Sequence, residues 1–541
     1  MTASPSTCST AAGAPADVSP ALPGHLASDA SSAPRAAAAR QRRVLAAVCL
    51  AAATLPMAFT GPAVALGAIA DDLQASAAAL AWVTNAFMLS FGGAMLPAGA
   101  LADRVGRRRV FRGGAWLFLV ASALLPMAPG IAAFNLLRAL QGLGGAALLS
   151  AGAALLAQEV DGAARTRAFS WMGTSFGIGL VLGPVTAGAL SAAFGWRAIV
   201  ALLMAAIVLS LALGAGALRE SRDPAAARFD WPGAALFSTA LTLLTTAVLQ
   251  APARGWGDPW VLGGLVAAGV LFAAFARVER RSPAPMLDLS LFRHRRFLGI
   301  QLLAAAPAYA FVVLLVLLPI RFAGIEGASP AMTGWWMAAL SGPLLALPLA
   351  AGRATRWWSP ATVCAGGLLV AAAGLWWLGA AAEAVQALPA MALIGVGISG
   401  PWGLMDGLAV SVVPPRQAGM AAGIFSTVRV AGEGVALALV GAVLTALIQG
   451  RLPVGADGPA LAQALAAGRL AQALALQPAL GPDTLVQAYE AAFSALARGL
   501  AVVTMLSAFV VLAMLRPAAA ASTAATNAPA ITTSRAKGRP R

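Results

Sequence analysis

Charge is scarce in this sequence. Only 10% of the 541 residues are Asp, Glu, Lys or Arg, whereas about a quarter of an average soluble protein is charged. Hydrophobic residues make up 60% of the chain, and the mean hydropathy is +0.81. This composition excludes an ordinary soluble globular protein and indicates an integral membrane protein.

Residues that bind metals or form disulfides are also few. Cys8, Cys49 and Cys364 have no ligand-like spacing, and His25 and His294 lie far apart in the sequence. No phosphate-binding glycine loop precedes a lysine. We therefore expect no metal, no cofactor and no disulfide, and we do not expect an enzyme.

Apolar runs are plentiful. Segments of about 20 residues, which cross a ~30 Å hydrocarbon core as a helix, recur from Val44 to Leu515, and we place fourteen of them. The net charge is +16, but the arginines stand between these segments rather than on a soluble module, which argues against nucleic-acid binding. Of the 36 Lys and Arg residues, 28 fall on one side of the membrane and six on the other. The positive-inside rule then predicts that both termini are cytoplasmic.

A short arginine-rich turn separates the second and third runs. It reads GALADRVGRRRV (99–110) and resembles G-x-L-a-D-r-x-G-r-r, the cytoplasmic loop motif of the major facilitator superfamily. The resemblance implies that Gly99 permits close helix approach and that Asp103 faces the positive N-terminal end of a helix in the other half, latching the inner gate. Gly106 belongs to the same motif, and Arg104 and Arg107 would steady the latch. A loop that only sets topology is the alternative.

Further motifs follow in the order that this family implies. RALQGLGGA (138–146) resembles the R-x-x-Q-G-x-G-x-A element, with Arg138 inside a span where a bare charge is costly unless it is paired. GLVLGPVTAG resembles the antiporter motif G-x-x-x-G-P-x-x-x-G, in which Gly179, Gly183 and Gly188 allow tight packing and Pro184 removes a backbone donor. FGWRAIV and DWPGAALF are similar to sequences of the fourteen-spanner drug:proton antiporters.

This resemblance implies an all-α integral membrane protein with the major facilitator fold, in which an inserted helix pair joins two six-helix bundles. Composition predicts a disordered tail at each end, and the long outer loop has room for a surface-lying helix. The expected domains are a tail (1–43), a six-helix bundle (44–218), a linker helix pair (219–296), a second bundle (297–516) with an outer loop at 449–493, and a second tail (517–541).

Two positions depart from the family pattern. The first span carries Ala58 where many members place a membrane-embedded aspartate linked to proton handling. In STVRVAGEGVALALVG (426–441), Arg429 matches the family, but Glu433 replaces a small residue. Acids inside spans can load and release protons as a cavity changes side. We therefore expect Glu433, together with Asp406, to take over the coupling role.

Other roles for these charges stay open. Arg429 and Glu433 are four residues apart on one helix face, so they can form a purely structural pair. Glu433 can alternatively contact a charged substrate, and Asp406 can simply reach water near the cytoplasm. Arg138 is the remaining charged candidate for coupling.

Polar and aromatic side chains in the spans that line the cavity of relatives are candidates for substrate contact, by stacking on flat lipophilic or cationic compounds. Packing against lipid or neighbouring helices is the alternative. The candidates are Trp82, Asn85, Phe87, Trp171, Phe176, Tyr309, Trp402 and Phe425.

The expected function is export of lipophilic, drug-like molecules in exchange for protons, by alternating access in the cytoplasmic membrane. Its expected partners are the small molecule, protons and the lipid bilayer, and we expect a monomer. A carrier for one specific metabolite is an alternative. A membrane sensor or scaffold that has lost transport is another, because Ala58 removes the usual acid.

Overall fold

The fold is helical throughout the part of the chain that the structure describes. This computed structural model describes residues 26–160, 162–222, 230–282, 287, 289–412, 418–452 and 458–516. In these ranges, fourteen segments are long and apolar enough to cross a membrane. The chain is therefore a multi-pass membrane protein, and the fourteen-span prediction is confirmed.

The first half and the inserted pair are made of long single helices with short connections. The helices are α1 (Leu26–Val64), α2 (Leu66–Asp72), α3 (Ala77–Val105), α4 (Arg107–Leu124), α5 (Ile131–Glu159), α6 (Gly162–Phe194), α7 (Arg197–Gly214), α8 (Trp231–Arg254) and α9 (Pro259–Arg281).

The second half contains more interruptions. Its helices are α10 (Arg295–Pro307), α11 (Leu314–Pro319), α12 (Pro330–Ser341), α13 (Leu347–Ala354), α14 (Pro360–Leu378), α15 (Ala384–Ser411), α16 (Ala418–Gln449), α17 (Gly458–Ala466), α18 (Leu470–Leu476) and α19 (Pro482–Leu515). The ninth span consists of α10, α11 and two π-helical segments, Ala308–Val312 and Ile320–Ile325. The tenth span consists of α12, α13 and a short 3₁₀ turn.

Several helices begin with a capping side chain followed by proline. The Asp258 carboxylate accepts a hydrogen bond from a backbone N–H in the first turn of α9, and the hydroxyls of Ser329 and Ser359 do the same for α12 and α14. Proline suits the next position because the N–H that it lacks has no partner inside the helix. These pairs fix where three spans begin.

The spans pack as two bundles with a pair of helices beside them. In the first half α5 packs on α3 and α4, and α6 packs on α1; in the second half α14 packs on α15 and α19. Helix α8 contacts both α3 and α16, so it bridges the bundles, while α9 packs mainly on α8.

The two halves approach each other closely at several points. We call the end with residues 103–109 the arginine-loop end and the end with residues 66–76 the far end. A Cβ atom added at Gly188 of α6 would lie 3.1 Å from the Cα of Gly334 in α12, and one at Gly92 of α3 would lie 2.6 Å from the Cα of Ala431 in α16. These close approaches lie from the middle of the spans to the far end. The described halves are therefore in contact towards the far end.

Three expectations about the tails and the outer loop need correction. Helix α1 begins at Leu26, so residues 26–43 of the expected disordered tail are helical. Residues 1–25 and 517–541 lie outside the described residues, and the domain boundaries stay predictions. The outer loop holds two helices rather than one, and they are docked rather than surface-lying, since Leu461, Leu465 and Ala473 are buried.

Candidate functional site

Arg138 lies fully inside the first bundle and has no carboxylate partner among the described residues. Its Nε donates to the carbonyl oxygen of Val83 (2.9 Å), and one terminal nitrogen donates to that of Ala58 (2.8 Å). The other donates to Gln141, and the guanidinium carbon lies 4.7 Å from the ring centroid of Phe87. Backbone oxygens thus satisfy a cation that would otherwise be costly in the membrane. At position 58 the main chain contacts Arg138 in place of an acidic side chain.

Arg429 pairs with Asp406 rather than with Glu433. One terminal nitrogen of Arg429 in α16 lies 3.3 Å from Oδ1 of Asp406 in α15. The Asp406 side chain is 52% exposed, whereas that of Arg429 is 10% exposed. The alternative of a structural pair along α16 is therefore not formed in this structure, because a carboxylate on the neighbouring helix holds the guanidinium.

Glu433 is an acid buried inside α16. It is 1% exposed, and neither carboxylate oxygen has a hydrogen-bond partner in the described structure. Buried carboxyl groups are normally paired or hydrogen-bonded, because losing water without compensation is expensive. The burial of Glu433 is therefore not compensated by any hydrogen bond among the described residues.

An aromatic cluster lies beside Arg429. The ring of Trp402 stacks on Phe176 (6.5 Å between centroids) and meets Phe311 edge-on (6.2 Å). The Arg429 guanidinium lies 5.6 Å from the centroids of both Phe176 and Phe425. Because Phe176 belongs to the first half and the others to the second, the cluster lies between the two halves.

The remaining cavity candidates are dispersed. Trp171 is 59% exposed, and Phe87 packs under Arg138 in the first bundle. The hydroxyl of Tyr309 is hydrogen-bonded to Ser507 of α19 (2.6 Å). Trp82 is half-buried and Asn85 is buried, both on α3 towards the far end. The structure therefore brings together three of the eight candidates.

The arginine loop is held mainly within the first half. Asp103 forms an ion pair with Arg107 (2.7 Å), and Glu220, which follows α7, lies 3.7 Å from Arg109. Gly106 has φ +129°, and a Cβ there would lie 2.7 Å from the carboxyl carbon of Glu220, so glycine is required. The exposed Arg104 has no described ion pair. The side chains of 418–423, at the start of α16, are not described, so the latch to the other half stays a prediction.

The packing glycines behave differently in the two motifs. A Cβ at Gly99 would lie 3.9 Å from that of Ser150, an ordinary contact, so the expectation that Gly99 is needed for close approach is wrong. In α6, a Cβ at Gly179 would lie 2.9 Å from the carbonyl carbon of Ala53, and one at Gly183 would lie 3.2 Å from the Cα of Met57. The antiporter motif therefore packs α6 tightly on α1.

Pro184 and Gly188 extend this packing to the other half. Pro184 lies inside α6, and a Cβ at Gly334 of α12 would lie 2.7 Å from its carbonyl oxygen. Gly188 faces the same helix. The motif thus sets contact with α1 on one side and with α12 on the other.

Two residues of the site had no signal in the sequence. Phe311 lies in a π-helical segment whose position no local pattern reveals. Glu220 is one acid in a run of mixed charge, and only the fold brings it to Gly106.

Known proteins support one family assignment. A model of the Major Facilitator Superfamily matches residues 46–437. The puromycin resistance protein pur8 of Streptomyces alboniger is 34% identical over 74% of this chain and 81% of its own. The tetracenomycin C resistance and export protein of Streptomyces glaucescens is 29% identical over 71% and 72%. The multidrug efflux pump LfrA of Mycolicibacterium smegmatis is 28% identical over 86% and 94%.

Solved structures agree at the level of the fold. A POT family transporter in complex with 5-aminolevulinic acid superposes with a TM-score of 0.59 at 11% identity, covering 87% of this chain and 95% of that chain. A bacterial homolog of the human lysosomal transporter Spinster, in an inward-facing and occupied conformation, gives 0.58 at 16% identity, covering 87% and 96%. With fourteen spans, the ordered motifs and a family match over most of its length, the chain belongs to the Major Facilitator Superfamily and is a transporter rather than an enzyme.

Proposed function

We propose that this transporter exports lipophilic, drug-like small molecules in exchange for protons, by alternating access in the cytoplasmic membrane. The observation that supports the proposal is Glu433, a buried carboxyl group for which the described residues provide no hydrogen-bond partner on either oxygen. A carboxyl group in such a place holds a proton, and releases it when water or a cation reaches it. Glu433 is then the proton carrier.

Arg429 gives this carrier a second state. It is four residues from Glu433 on α16, and it is paired with Asp406 across to α15. When Arg429 leaves Asp406 and turns to Glu433, it stabilises the ionised carboxylate and the proton departs. Protonation of Glu433 returns Arg429 to Asp406. The movement links proton release to a change in the contact between α15 and α16.

The aromatic cluster supports the substrate class. Phe176, Phe311, Trp402 and Phe425 offer flat apolar surfaces around Arg429, which suits ring-containing molecules. Three relatives carry names that state resistance, export or multidrug efflux. Because the described halves meet towards the far end and Asp406 is half-exposed, this state receives substrate from the arginine-loop end. The positive-inside rule predicts that this end is cytoplasmic, and the resistance and export stated in the names of the relatives favour export as the direction.

The decisive experiment is Glu433→Gln in the full chain, reconstituted in inverted vesicles. Because Gln keeps the shape but cannot ionise, we expect at least a tenfold loss of uptake driven by a proton gradient, with downhill exchange largely retained. The protein should still reach the membrane, since Arg429 keeps Asp406 as its partner. Ethidium is a suitable first substrate, because it is flat, lipophilic and fluorescent.

The matched control is Glu383→Gln, which removes an exposed carboxylate that makes no capping hydrogen bond. It should transport normally. Gradient-driven uptake that persists in a well-expressed Glu433→Gln protein would refute proton carriage at Glu433. A wild-type chain that moves one metabolite and no other compound would favour the single-substrate carrier instead.

A further inference from the structure

A second cavity lies towards the far end, away from the aromatic cluster. It has a volume of about 110 Å³ and lies among α3, α8, α11 and α16. Gln463, Ala466 and Ala467, from α17 and its end, form its roof. Its size is comparable to the engineered ~150 Å³ cavity that binds benzene, so it suits a single-ring molecule.

The walls of this cavity combine an apolar surface with unused polar atoms. Leu80, Leu317 and Leu437 supply apolar surface, and none of the described residues that line it is charged. Thr84 and Asn85 also line it and are 3% and 4% exposed. Among the described residues, the Thr84 hydroxyl and the Oδ1 atom of Asn85 have no hydrogen-bond partner. A packing defect between helices is normally apolar, so two unpartnered polar groups point to an occupant.

The geometry of Asn85 defines the chemistry of that occupant. Its Nδ2 already donates to the carbonyl oxygen of Ala81 (2.8 Å), which leaves Oδ1 as a free acceptor. An acceptor requires a donor on the ligand, and an uncharged lining favours a neutral donor such as a hydroxyl group. We infer that this cavity is a second binding site, for uncharged, mainly apolar, ring-sized molecules that carry a hydroxyl or similar donor.

The roof of the cavity is linked to both halves of the molecule. Arg469, which follows α17, donates to the carbonyl oxygen of Ala75 (3.0 Å) and lies 3.3 Å from Asp71. The roof therefore belongs to the second half but is tied to the first at the far end. This inference rests on the export function proposed above: the carried molecule binds at this site before it is released at the far end.

Binding is tested with 4-fluorophenol and 4-fluorotoluene, which differ in whether they carry the hydroxyl donor. Fluorine NMR titrations would use the purified full chain in lipid nanodiscs, with empty nanodiscs to subtract partitioning. Asn85→Leu removes the acceptor, and we expect it to weaken 4-fluorophenol binding roughly fivefold to tenfold while changing 4-fluorotoluene less than about twofold. Thr84→Val is the second acceptor variant and replaces Asn85→Leu if that protein does not fold.

Gly441→Leu fills the same cavity without a backbone clash, because a Cβ added there meets no atom within 4 Å. It should abolish binding of both probes. Gly432→Leu is its matched control, since its Cβ is equally free and it does not line the cavity. Asn135→Leu is the control for Asn85→Leu, because the Asn135 amide also donates to a backbone carbonyl oxygen, that of Ala79 on the neighbouring helix, and Asn135 does not line the cavity.

Equal binding of both probes by wild type, Asn85→Leu and Gly441→Leu would overturn this site. The result is separable from the export proposal, because Glu433→Gln should bind both probes as wild type does. If binding to the wild-type chain does not depend on the hydroxyl group, while Glu433→Gln abolishes gradient-driven export as expected, only the second site is refuted. If binding depends on the hydroxyl group, while Glu433→Gln still exports, only the proposed proton carrier is refuted.

Discussion

Arg429 has two acids nearby, Asp406 on the neighbouring helix and Glu433 on its own helix. The described structure pairs it with Asp406, leaving Glu433 unpaired four residues along the same helix. The sequence could predict that three charges share this region, because each stands in an otherwise apolar run. It could not predict which acid Arg429 would select, since that depends on how α15 lies against α16.

Asp406→Asn tests this competition. With its partner gone, Arg429 should turn to Glu433 and hold it ionised, so gradient-driven transport should fall at least tenfold. The stability cost should be about 1–3 kcal/mol, below that of a fully buried pair, because Asp406 is half-exposed to solvent. Transport assays and thermal unfolding in detergent measure the two effects.

The double variant Asp406→Asn with Arg429→Gln provides the control. Removing the guanidinium leaves Glu433 without the cation that releases its proton, so gradient-driven transport should stay low, while the stability lost in Asp406→Asn should largely return because no unpaired guanidinium remains. If Asp406→Asn alone transports like wild type, Arg429 does not move between the acids.

At the scale of single elements, the helices were predictable and their interruptions were not. Apolar length and capping pairs such as Ser329 with Pro330 indicate where spans begin. The π-helical segments of the ninth span and the break between α12 and α13 leave no periodic signal. The docking of α17 and α18 was also missed, because their apolar faces suit a membrane surface as well as a protein surface.

Arg469→Gln tests whether the roof is held by its link to the first half. An ion pair to an exposed acid and one backbone hydrogen bond together contribute about 1–2 kcal/mol. A cysteine at Ala77, which is buried and lines the far-end cavity, should therefore react roughly tenfold faster with a charged maleimide in the variant. The native cysteines are replaced first, and nanodiscs give the reagent access to both ends.

Arg451→Gln is the matched control, because Arg451 hydrogen-bonds only within its own helix, to Leu447 (3.2 Å), among its described contacts. It should leave the labelling rate unchanged. Equal rates in all three proteins would mean that Arg469 does not restrain the roof.

For the whole molecule, the sequence predicted the fold class, the number of spans and the family. The thickness of the hydrocarbon core sets the length of every span, so the spans can be counted as apolar runs of that length in the sequence. It could not predict that the halves meet towards the far end, because such contacts as Gly188 with Gly334 depend on the conformational state. The orientation in the membrane stays a prediction.

Cysteine labelling in intact cells tests that orientation. In a chain without its native cysteines, Gly257→Cys lies between α8 and α9 at the far end, and Arg222→Cys lies at the arginine-loop end; both positions are exposed. The positive-inside distribution predicts that an impermeant reagent reaches position 257 and not 222. Permeabilised cells should label both. The opposite pattern in intact cells would reverse the topology and with it the proposed direction of transport.

Position 58 gives Arg138 a main-chain oxygen and contributes no acidic side chain. A carbonyl oxygen cannot carry a proton, so the exchange proposed for Glu433 would move one proton per cycle. One charge crossing 100 mV releases about 2.3 kcal/mol, which sustains a concentration ratio of roughly 50-fold for an uncharged compound. Two exchanging acids would square that ceiling to roughly 2,500-fold at the same voltage. The proposed exchange therefore predicts a shallower substrate gradient, and fewer protons used for each molecule expelled, than a transporter with a second acid at position 58 would have.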